Sequence, residues 1–491
     1  MSAIHDQAMN YVYQQVLQRL LSFFSRAERT ALQLLMQRLV VAAGGAERIG
    51  HYKVLMNHSG TPDSCYTLAF LRAAQLSIAG RAPSTFQLRV ATLRMGTTTP
   101  AIMETLHRSY SALFVYDDPR VEVLMVDNRE VLPFSHSAPI SDAGRELNRA
   151  NMLMLGHLRG VGGVFEACDD GYLAMGELYG QITRWDGGVD ALIGGETLRQ
   201  QKQFLAGLTR GAARAGLRMS LEPEQSFDGL FSILEQLRPD FYRELYAGHE
   251  RVEWRPQERF DARRAASYID VQDLVTGNMD DRWPLLSEFL GLQPDEVDAQ
   301  LRENPFASPL LSAHFRGLQA SYLKGQTYEQ GFARYIQRAL LMMRKRQVPE
   351  RFCDQALELY GNPQTLAERR MQANIEAQQT LGLSEAQQLC LLFTPFVDEG
   401  AGLERFLRRC HPGMLVAMPE VYKALQGRAV AEQVMQWMVD VSGLPLHLIR
   451  ALYGMRSVPG TGREVIAQAA CSEGQSCSDE TDTRCDLSAK R

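Results

Sequence analysis

One thiol stands in a setting suited to nucleophilic chemistry: Cys65, which closes the stretch HYKVLMNHSGTPDSC that begins at His51. The apolar run from Tyr52 to Met56 is too short for a helix and reads as a buried strand, and Thr61-Pro62-Asp63-Ser64 carries helix-entry chemistry. With Asp63 as the cap, Cys65 falls in the first helical turn, where backbone N–H groups and the macrodipole favour a thiolate. Such a nucleophile needs a histidine base and an orienting Asp or Asn from elsewhere in the fold. His136, in LPFSHSAP, and Asp127 or Asn128 before it supply those types, with His58 nearer in sequence. The competing use of Cys65 is packing. It shares a helical face with Leu68, Ala69 and Leu76, and unpaired cysteines are among the most buried residues, so packing is the weightier reading.

Between the strand and the helix lie Asn57, His58 and Ser59. In open α/β sheets ligands gather at the carboxyl ends of strands, which makes these three the first candidates for ligand binding. Other constellations are weaker. No His or Cys pair has zinc-site spacing, and Glu166, Asp169 and Asp170 read as a solvated turn before a helix. GHLRGVGGV, from Gly156 to Val164, has the glycine density of a phosphate loop but no Gly-Lys-Ser/Thr ending and no preceding strand. Arg251, Arg255, Arg259, Arg263 and Arg264 are nearly cancelled by Glu250, Glu253, Glu258 and Asp261. No metal and no cofactor are expected.

The elements that must hold these residues follow from periodicity. Met9, Val12, Val16 and Leu20 recur at helical spacing, as do Ala31, Leu35 and Leu39, with Ser25 and Glu28 forming a capping box between them and Gly44-Gly45 ending the second helix. From His51 the pattern turns to short β-rich runs, YKVLM, TFQLRVATLRM, ALFVY and VEVLMVDN, with helices predicted from Asp63 to about Ala79 and from Pro100 to about Ser109. Thr99 before Pro100 is a good cap. The first two strands should form a parallel crossover, and ALFVY-DDPR-VEVLMV a hairpin, in a mixed sheet of about four strands ending near Pro139. Beyond Ser141 helical stripes dominate, among them Leu311, Phe315, Leu318 and Tyr322, then Phe332, Ile336, Leu340 and Met343, then Val434, Met438 and Val441.

The fold class expected is therefore α+β, mostly α: an N-terminal helical hairpin packed on a small mixed β-sheet with crossover helices, then a large irregular helical domain and a disordered tail. The corresponding segments are residues 1–140, 141–255, 256–457 and 458–491. A chain of 491 residues with 45% hydrophobic side chains can bury more than one core, and a net charge of −5 argues against general nucleic-acid binding. The N-terminus lacks a basic, apolar leader and no run of 18 or more apolar residues exists, so a cytoplasmic protein without a membrane span is expected, its eight scattered cysteines reduced. Its residue usage has a bacterial flavour. The function expected is binding of another protein through the helical region. The alternative is a cysteine-dependent hydrolase or acyltransferase with Cys65 as nucleophile, His136 as base and Asp127 or Asn128 as orienter.

The segment from Val458 offers few apolar side chains to offset an ordering cost of roughly 1–2 kcal/mol per residue. Limited trypsin digestion should cut first between Val458 and Arg491, and truncation after Met455 should leave the thermal midpoint unchanged; a drop of several degrees would show that the tail docks on the body.

Overall fold

The computed structural model describes residues 3–127, 130–161, 168, 170–214, 230, 266–275, 279–293, 301, 306–345, 348–361 and 366–457. Asn128, Glu166, Asp169, the arginines from Arg251 to Arg264, the boundary placed at residue 255 and the tail from Val458 lie outside the described residues.

Helices α1 (Ala3–Phe23) and α2 (Arg26–Ala42) form the expected N-terminal pair. Ser25 caps α2 by accepting from the Glu28 amide at 3.2 Å, while its own amide donates to the Glu28 carboxylate at 2.7 Å. Strand β1 (Lys53–Asn57) then leads into α3 (Pro62–Ala79), β2 (Gln87–Leu93) and α4 (Pro100–Ala112), the last capped by Thr99. Thr61, not Asp63, caps α3. Proline is favoured at the first helical position, so Pro62 sets the boundary one residue earlier.

The sheet is larger than four strands. After β3 (Val121–Asp127) and β4 (Glu130–Pro133) come α5 (Asp142–Leu158), α6 (Asp170–Ile182), β5 (Ala191–Gly194), α7 (Leu198–Arg214) and β6 (Ser267–Asp270). The strand order is β4-β3-β2-β1-β5-β6, parallel throughout except for the antiparallel β3–β4 pair at one edge. The crossover from β1 to β2 is parallel as expected, with Lys53 opposite Gln87. The hairpin is not where ALFVY suggested. That run closes α4 instead, with Leu113 and Val115 fully buried and Phe114 in a left-handed conformation (φ 50°), so β3 pairs with the segment after it.

Both faces of the sheet are covered, as a parallel sheet requires. Val54 and Met56 point into a core shared with α1 to α4, while Leu55, Ala91 and Leu124 point into one shared with α5 to α7 and the helices after residue 306. The predicted stripes at Leu311, Phe315 and Leu318, at Phe332, Ile336, Leu340 and Met343, and at Met438 and Val441 all lie in that second core, which therefore runs unbroken from the sheet into the helical half. It reaches the end of the described chain: the Ser457 amide donates to Asp398 at 2.9 Å and Arg456 pairs with Glu399. Contacts with the body thus extend through Ser457, two residues beyond the truncation after Met455. No helix among the described residues is long and apolar enough to cross a membrane.

At the amino edge of the sheet, α3 is fastened by a charge sunk in the core. Arg72 and Asp118 side chains are both 0% exposed and meet at 2.8 Å. Arg72 also donates to the Leu113 carbonyl and to Gln75, and Arg120 braces Asp118 from the other side. Burial alone would raise the Asp118 carboxyl, but the hydrogen bond from Arg120 and the charge of Arg72 outweigh it and hold it below its ordinary value. Removing one partner of a buried pair strands the other charge. Asp118→Ala should cost about 3–5 kcal/mol in urea unfolding, and a loss below about 1 kcal/mol would show that Arg72 finds water.

Candidate functional site

His58 follows β1 directly. Its amide donates to the Ala91 carbonyl and its own carbonyl accepts from the Thr92 hydroxyl, both at 2.9 Å, which folds the chain inward over the end of β2. The imidazole Nε2 stands 3.3 Å from the Cys65 sulfur, with the Ser109 hydroxyl 3.7 Å from the same sulfur and the Tyr110 ring packed edge-on. His58 and Cys65 are each 0% exposed. Burial pushes His58 down to about 3, so the ring is neutral, and its Nδ1 has no partner. The pair is sealed from solvent.

The other members of the expected nucleophilic set are elsewhere. His136 is exposed, its ring stacked on His107 at 4.0 Å and its Nε2 4.0 Å from Glu104. Asp127 is buried and occupied: its two oxygens accept from the Ser141 amide at 2.7 Å and hydroxyl at 3.0 Å, which fixes the entry to α5. The histidine that approaches Cys65 is thus His58, the nearer residue in sequence. Ser59 is exposed and bonds the Thr61 and Ser64 hydroxyls at the mouth of the loop.

Asn57 faces a second and more open constellation. Strand order reverses at β1, which has β2 on one side and β5 on the other, and a crevice forms in open α/β sheets where such neighbours diverge. Across it from Asn57, β5 ends in Gly194, followed by Gly195 and Glu196. A Cβ at Gly194 would stand 2.0 Å from a Glu196 carboxylate oxygen and 2.7 Å from the Tyr268 hydroxyl; one at Gly195 would stand 2.6 Å from the Thr67 hydroxyl. Only glycine allows the Glu196 carboxyl to fold back over the strand end. The Tyr268 hydroxyl on β6 donates to it at 3.2 Å. Gln201, one turn into α7 and 1% exposed, donates through Nε2 to the Glu196 carbonyl and to Asp270, each at 3.0 Å. The Asn57 side chain meets the Tyr179 hydroxyl.

This cluster is rich in acceptors. Enclosure chiefly, and then the charges of Asp270 and Asp63, raise the Glu196 carboxyl above its ordinary value, although the residue keeps some surface. Burial raises Tyr179 and Tyr268, with Glu196 adding to both. Asn57 Oδ1 and Gln201 Oε1 accept no hydrogen bond. Arg282 stands at the rim, 3.5 Å from Asp63. No group of three or more His, Cys, Asp or Glu among the described residues could hold a metal ion. Glu196, Tyr179, Tyr268 and Gln201 were not singled out from sequence; the one local signal is the Gly-Gly-Glu that ends a short apolar run.

No protein-family model, curated protein sequence or solved structure matches the chain. The reading of the site rests on its geometry.

A sealed thiol should be slow to react. In the folded protein iodoacetamide should leave Cys65 unmodified by peptide mapping, and unfolding in urea should expose it. Labelling of Cys65 at the rate of an open thiol would reveal a path to the His58–Cys65 pair.

Proposed function

We propose that the protein is a cytoplasmic binding protein that holds a small polar ligand in the crevice between Asn57 and Glu196 and presents its helical half to a protein partner. The observation that carries this reading is the reversal of strand order at β1, which lines that crevice with acceptors lacking partners, Asn57 Oδ1 and Gln201 Oε1. Two buried acceptors without a protein partner beside one strand end are free to take donors from a ligand or from water. The partner surface has its own support. On the helix Leu366–Glu376, Met371 is 60% and Ile375 49% exposed, and with Ala367, Arg370 and Asn374 they wall a groove of about 600 Å³. Residues at this spacing share one helix face, and exposed methionines suit a partner's apolar side chains.

The cysteine-dependent alternative has one observation in its favour, the 3.3 Å approach of His58 Nε2 to the Cys65 sulfur. The complete burial of both residues weighs against it.

A thermal-shift screen with small polar compounds should yield ligands whose affinity falls about tenfold or more in Asn57→Ala, as loss of a buried hydrogen bond to a ligand would require. Paired replacement of Met371 and Ile375 by Asp should abolish capture of the partner while leaving the thermal midpoint near wild type. Ligands indifferent to Asn57→Ala would place binding elsewhere, and partner capture unaffected by the paired change would remove the groove from the reading.

A further inference from the structure

We infer that the crevice selects a ligand bearing a protonated amine, held by the Glu196 carboxylate and the unpartnered oxygens of Asn57 and Gln201. This rests on the crevice being a binding site and adds the class of its ligand. The first support is the sign of what surrounds it. Glu196 is flanked by Asp270 and Asp63, with Tyr268 and Tyr179 completing the wall. Arg282, the cation at the rim, is directed to Asp63 and not to Glu196. An anion or phosphate would be brought up against Glu196, Asp270 and Asp63.

The second support is independent of charge. The Gln201 amide cannot turn over, because its Nε2 already donates to the Asp270 carboxylate and the Glu196 carbonyl, and reversal would set oxygen against oxygen at both. Its Oε1 is therefore fixed as an acceptor, enclosed in protein, with nothing to accept. On the neighbouring strand end the Asn57 side chain meets the Tyr179 hydroxyl, and its Oδ1 is unpartnered. An ammonium group carries three donors and no acceptor, the complement of a carboxylate and two amide oxygens. Among the described residues no three His, Cys, Asp or Glu side chains gather to hold a metal ion. Ser59, Asp63 and Thr197 are exposed beside the partly buried Asn57 and Glu196, and the two amide oxygens lie beneath that surface.

Holding Glu196 in this place costs stability. Its carboxyl lies above its unfolded value, so the folded form binds the proton more tightly and the contribution to stability declines as pH rises from the ordinary carboxylate range through the raised one. At neutral pH a neutral isostere should fold more stably than Glu196 itself. A group kept at the expense of stability, beside acceptors without partners, is the pattern of a binding site and not of a structural one.

The test uses the full chain at neutral pH, with putrescine, agmatine and ethanolamine as amine probes and succinate and glycerol as anionic and neutral controls, at millimolar concentration. At least one amine should raise the thermal midpoint and the controls should not. Glu196→Gln should raise the midpoint of the unliganded protein yet weaken amine binding about tenfold or more, as loss of a charge-assisted contact does. Gln201→Ala gives a second measure that leaves the carboxylate in place, and should also weaken amine binding. Binding of a control that is lost in Asn57→Ala but unchanged in Glu196→Gln would overturn the amine class and leave the crevice as the site. No binding by any probe, with Glu196→Gln no more stable than wild type, would overturn both.

Discussion

Strand β1 is paired along both edges and covered on both faces, and few other five-residue segments constrain so much of the chain. Register with β2 runs from Lys53–Gln87 to Asn57–Ala91, and register with β5 from Val54–Ala191 to Met56–Ile193. Because side chains alternate, this pairing sends Val54 and Met56 to one core and Leu55 to the other, and a slip of one residue would exchange them. The same register fixes where the strand stops. Asn57 ends level with Gly194 of β5, and His58 turns inward over Thr92. The placement of Asn57 and His58 is a consequence of that alignment.

The two edges of the sheet treat polar groups differently. At the amino edge buried arginines face opposite charges: Arg72 the buried Asp118, and Arg89 the partly exposed Glu122 at 2.7 Å. Such pairs roughly break even in stability but penalise any packing that separates them, and so bind α3 and β2 to one arrangement. At the carboxyl edge between β1 and β6, Glu196, Asp270 and Asp63 lie near one another, and amide oxygens are left over. Consistency between local and global preference is the rule in folded chains, and its local failure is the usual mark of a site under other demands.

Much of the first half of the fold was legible in the sequence because its signals are local. The capping box at Ser25, the proline after Thr99 and the strand-loop-helix from Tyr52 each depend on residues within a few positions of one another. Strands β5 and β6 were not legible. Ala191–Gly194 and Ser267–Asp270 are four residues each, too short to show a period, and they become strands only by lying beside β1. The run Ala112–Tyr116 failed in the other direction, its β-rich composition overruled by the burial of Leu113 and Val115 at the end of α4. For the site, Asn57, His58 and Ser59 were visible as a loop at a strand end, and the nearness of His58 to Cys65 followed from seven residues of separation. Glu196 was invisible because its enclosure depends on Tyr268, which arrives 72 residues later.

That late arrival bears on how the chain is made. In the finished sheet β1 is an interior strand, but until Gly194 has left the ribosome one edge of it has no partner, and its Val-Leu-Met centre is the kind of apolar template on which other chains can pair. Synthesis of the intervening segment takes about 7–30 s at 5–20 residues per second. Through that interval the nascent protein carries an open hydrophobic edge at its heart, and the capture of that edge by a chaperone, or by a neighbouring chain on the same message, competes with the arrival of β5.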